Sequence, residues 1–179
     1  MTGANLETLL KEGYQARRED RLAEAKGCFT QAVDLSRTAN DEAMLAKALV
    51  GLGQIERDLH ETDAALRHYE DAVAICRKFD DPLSLAHTVR HVGDILRNQE
   101  RLELAAPCYE EALEIYRRQA ETPPLDLANA IRGYALVKAG TGDKEEAAKL
   151  WQEAGGLYAA VGVEAGVAES EPQVARLTA

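Results

Sequence analysis

The sequence predicts an all-α fold, a superhelical solenoid of four helix–turn–helix repeats closed by a C-terminal capping helix. Three observations carry this expectation. Apolar residues make up 46% of the 179 positions but aromatics only 5%, with alanine and leucine dominant; such side chains lose little rotamer freedom in a helix. Several residue columns recur in one register: Ala25, Ala65, Ala105 and Ala147 are spaced 40, 40 and 42 residues apart, and Phe29, Tyr69, Tyr109 and Trp151 keep the same step. Within a unit, Ala65, Tyr69, Ala72 and Cys76 fall at i, i+4, i+7 and i+11, one face of an α-helix.

The elements follow in order. The first helix, expected over 3–19, carries Leu9 and Gly13, with Glu12 at a position where later repeats favour an apolar residue, as befits a terminal repeat. After a break at Glu19-Asp20, the second (22–38) carries Ala25, Phe29, Ala32 and Leu35. Asn40-Asp41 caps the third (41–59), whose Leu49, Leu52, Gly53 and Glu56 share a face. His60-Glu61 separates it from the fourth (62–78). Asp81-Pro82 supplies an N-cap and a proline at the first helical position of the fifth (82–99). The sixth (102–119) follows Asn98-Gln99-Glu100; Pro107, about a turn in, predicts a late or distorted start. Pro123-Pro124 opens the seventh (124–140), and Gly140-Thr141-Gly142-Asp143 turns the chain into the eighth (143–161). Val163, Val167, Val174 and Leu177 then predict a ninth helix over 163–178 that packs on the last hairpin; the alternative is a split at Pro172, with Ser170 capping a short final turn. The repeats are thus 3–40, 41–80, 81–122 and 123–162, in one domain spanning 1–179.

One such hairpin cannot bury its apolar face alone, so stacked neighbours must supply the core. Small residues at Gly53 and Ala65 let paired helices approach, and Tyr69 fills the space beside them. The segment LVGLGQIERDLHETDAALRHYEDAVAI, with its Leu–Gly pair and its Ala–aromatic–Ala series, resembles the tetratricopeptide repeat over roughly residues 3 to 161. The repeat here exceeds the usual 34 residues and lacks the proline that closes the second helix. In this it is similar to the long repeats of kinesin light chains. The resemblance implies a protein-interaction scaffold.

Catalytic motifs are not found: the sequence contains no HExxH, GxSxG or Walker pattern, and no enzyme activity or cofactor is expected. Gly140-Thr141-Gly142-Asp143-Lys144 reads as turn chemistry. His87 and His91, one helical turn apart with Asp94 beyond them, form the one arrangement that could offer ligands to zinc, and are read instead as solvated or partner-contacting residues. Cys28, Cys76 and Cys108 make neither a CxxC pair nor an even framework, and read as reduced thiols of a cytoplasmic protein. The start, MTGANLETLLKEG, has no signal-peptide pattern, and no run approaches the length of a membrane span.

In the resembling family the first helix of each hairpin lines a concave face. Carried onto this sequence, that face holds Glu7, Leu10, Lys11, Tyr14, Arg17 and Arg18; then Lys47, Val50, Gly51, Gln54, Arg57 and Asp58; then His87, Arg90, His91, Asp94, Arg97 and Asn98; then Asn129, Arg132, Gly133, Leu136, Ala139 and Gly140. Eight of these are basic and three acidic, a balance of +5; the rest of the chain, with 13 basic and 28 acidic residues, carries −15. A concave surface of one sign attracts ligands of the other. The expected partner is an acidic protein or peptide segment, with Tyr14, Leu10, Val50 and Leu136 receiving apolar side chains. The competing view is that Arg57–Asp58 and Arg90–Asp94 neutralise one another. Nucleic acid and membrane are not expected as partners, given the net charge of −10. The positions that hold a terminal carboxylate in chaperone-binding members match Leu10, Tyr14, Gly51, His87 and His91, which lack that donor set. The alternative function is a peptide or small-ligand sensor of the bacterial helical-repeat type.

Overall fold

Helix begins where the first columns begin: in the computed structural model, which describes residues 2–179 with side chains from Asn5 onward, α1 is Thr2–Arg18. It is followed by α2 (Leu22–Ala39), α3 (Glu42–Asp58), α4 (Thr62–Cys76), α5 (Pro82–Asn98), α6 (Leu102–Arg118), α7 (Pro124–Gly140), α8 (Lys144–Ala160) and α9 (Glu164–Thr178). The described residues contain no strand. The chain divides into two compact units, one ending at Asp81 and one spanning Pro82–Ala179, and within each unit consecutive helices pack on one another. In the first, α2 packs on both α1 and α3, and α4 on α3; in the second, each helix from α5 to α9 packs on the next.

The core of each unit is built by the repeating columns. Ala25, Ala65, Ala105 and Ala147 are fully buried, as are Phe29, Tyr69, Tyr109 and Trp151. Gly13 of α1, Gly53 of α3 and Gly93 of α5 each make room for an aromatic ring. A Cβ added at Gly53 would lie 3.1 Å from the Tyr69 ring, so the expected close approach is present. A second glycine contact was not foreseen. Gly51 of α3 lies over Phe29 of the preceding hairpin, and Gly133 of α7 over Tyr109 in the same way. Each of these rings also meets a glycine of its own hairpin, Gly13 for Phe29 and Gly93 for Tyr109.

The turns are equally regular. Asp20, His60, Glu100 and Gly142 all take positive φ, between 58° and 91°. Each ends its helix in a Schellman motif: the N–H of the next residue reaches back to a carbonyl five positions earlier, as in Glu61 to Glu56 at 2.7 Å and Arg101 to Leu96 at 2.9 Å. Asn40 does the same after α2, and Asp41 then caps α3 by accepting from the Met44 N–H at 3.0 Å.

Pro107 behaves differently from expectation, and the alternative of a split at Pro172 does not occur. α6 starts on schedule at Leu102, with the Ala105 N–H bonded to Arg101 at 3.0 Å, so Pro107 neither delays nor deforms the first turn. Pro107 and Glu103, whose carbonyl loses its helical donor, are both exposed. Pro172 likewise does not split α9, and Ser170 caps nothing; its hydroxyl donates to the Gly166 carbonyl at 2.7 Å inside a continuous helix. The packing seam of α9 is also corrected. Val163, Val167, Val174 and Leu177 are half-buried, and the fully buried positions are Gly166, against the Tyr158 ring, and Ser170, against Gly155.

Candidate functional site

The residues assigned to an inner face come from α1 and α3 in the first unit and α5 and α7 in the second. The structure brings several together, though not always with their charges available.

In the first unit, Arg17 of α1 reaches α3. Its Nε donates to Asp58 Oδ2 at 2.7 Å and an Nη to Gln54 Oε1 at 3.0 Å. Arg57 donates to Asp58 Oδ1 at 3.3 Å, so one carboxylate serves two guanidinium groups. Arg18 is exposed and donates to Gln15 at 2.6 Å. Lys11, Lys47 and Glu7 are exposed. Tyr14 is half-buried, edge-on to Phe29 with ring centroids 4.9 Å apart, and burial raises its pKa. Leu10 and Val50, expected to receive partner side chains, are core residues because they pack beneath this face. Five cations therefore stand with two carboxylates, Glu7 and Asp58.

The second unit is organised around Asp94. It accepts from an Arg90 Nη at 2.8 Å and from the Tyr109 hydroxyl at 2.7 Å. Arg97 lies 3.5 Å from it and donates to the Tyr109 oxygen at 3.0 Å and to Asn98 at 3.0 Å. His91 places Nδ1 3.4 Å from Asp94, while its Nε2 accepts from Arg90 at 3.2 Å and lies 3.1 Å from His87 Nε2. Arg90, His91 and Asp94 are all less than a tenth exposed. Burial alone would raise the Asp94 pKa, but the His91 hydrogen bond and the Arg90 and Arg97 charges hold it well below the usual carboxylate range. Burial, then the Asp94 charge, raises the Tyr109 hydroxyl far above its normal value. His87 and Asp94 lie against opposite nitrogens of His91, so the three do not converge on one point; among the described residues no group of three His, Cys, Asp or Glu side chains is arranged to hold a metal.

Further along, Arg132 donates to both carboxylate oxygens of Glu169, at 2.6 and 2.6 Å. Asn129 accepts from the Tyr158 hydroxyl at 2.8 Å. Leu136 and Ala139 are half-buried and Gly140 is exposed. Tyr109 and Glu169 are the contributors that sequence reasoning missed. A signal for the first exists, since the register pairs Gln54 and Asp94 with Tyr69 and Tyr109 but Leu136 with Trp151. For the second, matching the positive-φ residues Asn40 and Gly162 puts Glu169 in the column of Lys47, His87 and Asn129.

These paired helices, with small residues set against aromatics at 40- to 42-residue intervals, match the family model of the tetratricopeptide repeat over residues 6–78 and 84–158. The chain belongs to the tetratricopeptide-repeat family. Repeats of this family mediate protein–protein interaction, on a scaffold that is typically non-catalytic. No curated protein matches the sequence. The fold is similar to that of BtubC (BKLC) from P. vanneervenii, with a TM-score of 0.75 and 20% identity, covering 84% of this chain and 61% of that one. It is also similar to nearly identical TPR-like repeats from Podosopora anserina described as a kinesin light chain, with a TM-score of 0.76, 16% identity, and coverage of 96% and 84%. The long tetratricopeptide form is thus shared with kinesin-light-chain-like arrays. No described helix is long and apolar enough to cross a membrane.

The Asp94 cluster has a pH consequence for this tetratricopeptide array. Burial, then the Arg90 charge, pushes the His91 pKa down to about 3. An unfolded imidazole titrates near 6.5, so below that pH the unfolded chain binds a proton that the folded unit refuses. The stabilisation is complete above about pH 6.5 and is lost as pH falls towards 3, by up to about 1.4 kcal/mol per pH unit. The urea midpoint is therefore expected to drop between pH 7.5 and pH 5, and His91→Gln is expected to remove most of that drop. An equal drop in the variant would show that other groups cause it.

Proposed function

We propose that this tetratricopeptide array is a non-catalytic interaction scaffold for an acidic, extended or helical protein segment, and that its accessible cations lie on the first unit. The observation that carries the reading is the contrast between the two inner faces. Lys11, Arg18 and Lys47 are exposed in the first unit, whereas Arg90 and Arg97 are folded around Asp94 and Arg132 is clamped to Glu169 in the second. The remaining shell is strongly acidic, which favours partners drawn to the basic face and disfavours nucleic acid.

Each exposed ion pair contributes only about 0.2–1 kcal/mol, so binding must be collective and salt-sensitive. Reversing three exposed charges, Lys11→Glu, Arg18→Glu and Lys47→Glu, is expected to weaken binding of an oligoglutamate peptide at least roughly ten-fold, by fluorescence anisotropy at low salt. The same reversal is expected to leave the far-UV dichroism unchanged. Undiminished binding by this variant would place the partner elsewhere.

A further inference from the structure

We propose that Arg132 is a carboxylate-binding position that α9 keeps occupied with its own Glu169, so that an acidic partner gains this arginine only by displacing that side chain. The inference rests on the acidic-partner reading and adds a guarded position to it.

The geometry is that of a bound ligand. Two N–H groups of the planar guanidinium meet the two oxygens of one carboxylate, at 2.6 and 2.6 Å, the fork that arginine offers to any carboxylate. Both side chains remain about one-third exposed, 33% and 35%, so the pair borders solvent and can exchange. The Arg90–Asp94 pair differs in this respect: its side chains are 9% and 12% exposed, and Tyr109 holds the carboxylate from below.

The supplier of the carboxylate is lightly seated. Gly166 and Ser170 are the buried residues of α9, and the positions beyond Ser170 are half-buried or exposed. Pro172 removes one helical hydrogen bond immediately after the turn that carries Glu169. In the repeat register Glu169 occupies the column of Lys47, His87 and Asn129, so its carboxylate stands where a partner would lie. Neighbouring groups do not replace it: the Asn129 side chain is engaged by the Tyr158 hydroxyl, and Asp94 is committed to its own cluster. A partner carboxylate would make the same two hydrogen bonds, with no covalent change.

The test compares oligoglutamate binding by wild type, Glu169→Gln, Arg132→Gln and the double variant, with thermal unfolding to confirm folding. Glu169→Gln is expected to raise affinity about three-fold or more, Arg132→Gln alone to leave it nearly unchanged, and the double variant to lose the gain. Wild-type binding with no gain in Glu169→Gln overturns the inference and leaves the acidic-partner reading intact. A gain that survives in the double variant also overturns it, because that variant has no Arg132 for the partner to reach. Binding by none of the proteins overturns both.

Discussion

Replacing Asp94 with alanine is expected to destabilise the second unit by about 3–5 kcal/mol, the usual cost of removing one member of a buried ion pair. The side chain is almost enclosed and serves two strong donors, Arg90 and Tyr109, with Arg97 and His91 close by. Its removal leaves the Arg90 charge buried without a counter-ion and strips the Tyr109 hydroxyl of its acceptor. Typical domains hold only about 5–15 kcal/mol in total, so the loss would be visible as a large fall in the urea midpoint. Asp94→Asn keeps an oxygen for Tyr109 but drops the charge, and is expected to cost less, about 1–3 kcal/mol. Replacing Arg90 and Asp94 together by apolar residues of similar volume is expected to recover much of the deficit, since an apolar pair incurs no charge desolvation. If Asp94→Ala cost under about 1 kcal/mol, the cluster would not be structural, and Arg90 and Arg97 would return as candidates for partner contact. The prediction therefore also decides where binding is sought. On the proposed reading, a charge reversal at Arg90 or Arg97 reports on folding, whereas one at Lys11 or Lys47 reports on the partner.

Periodicity made the helices legible because each column has one physical task. Ala65 must be small where helices cross, and Tyr69 must fill the space that results, so both recur and both are buried. Helix ends were legible where a residue signals through its own chemistry, as Pro82, Pro124 and Asp41 do. The four hairpin turns were located but their conformation was not, because Asp20, His60 and Glu100 adopt a left-handed backbone that sequence signals assign to glycine. The register names candidate inner-face positions, but not which of their charges are engaged. Adding charges along a sequence treats every cation as available. Whether Arg97 faces solvent or Asp94 depends on Tyr109, which arrives from another helix 12 residues later. Whether Arg132 is open depends on Glu169, 37 residues away on a helix read only as a cap.

Gly51→Ala and Gly133→Ala are expected to destabilise the fold, although alanine in a helix is ordinarily favoured over glycine by about 0.8–1 kcal/mol. A Cβ at residue 51 would sit 2.2 Å from Phe29 Cε1, and one at residue 133 would sit 2.4 Å from Tyr109 Cε1. Both are closer than real Cβ contacts come, and both rings are fully buried and also packed against Gly13 or Gly93. The ring has nowhere to retreat, so the helices must separate, at a cost of about 1–3 kcal/mol beyond the propensity gain. Gly27 provides the opposite case: it lies within α2 with open space around its Cβ direction, and Gly27→Ala is expected to stabilise by about 0.5–1 kcal/mol. The sign of the change should therefore reverse between Gly27 and Gly51 at constant denaturant slope. Pairing Gly51→Ala with Phe29→Leu should restore part of the loss, because leucine vacates the ring's edge. A stabilising Gly51→Ala would mean that the hairpins slide freely past one another, and close stacking would then not be what sets the spacing between Arg17 and Asp58.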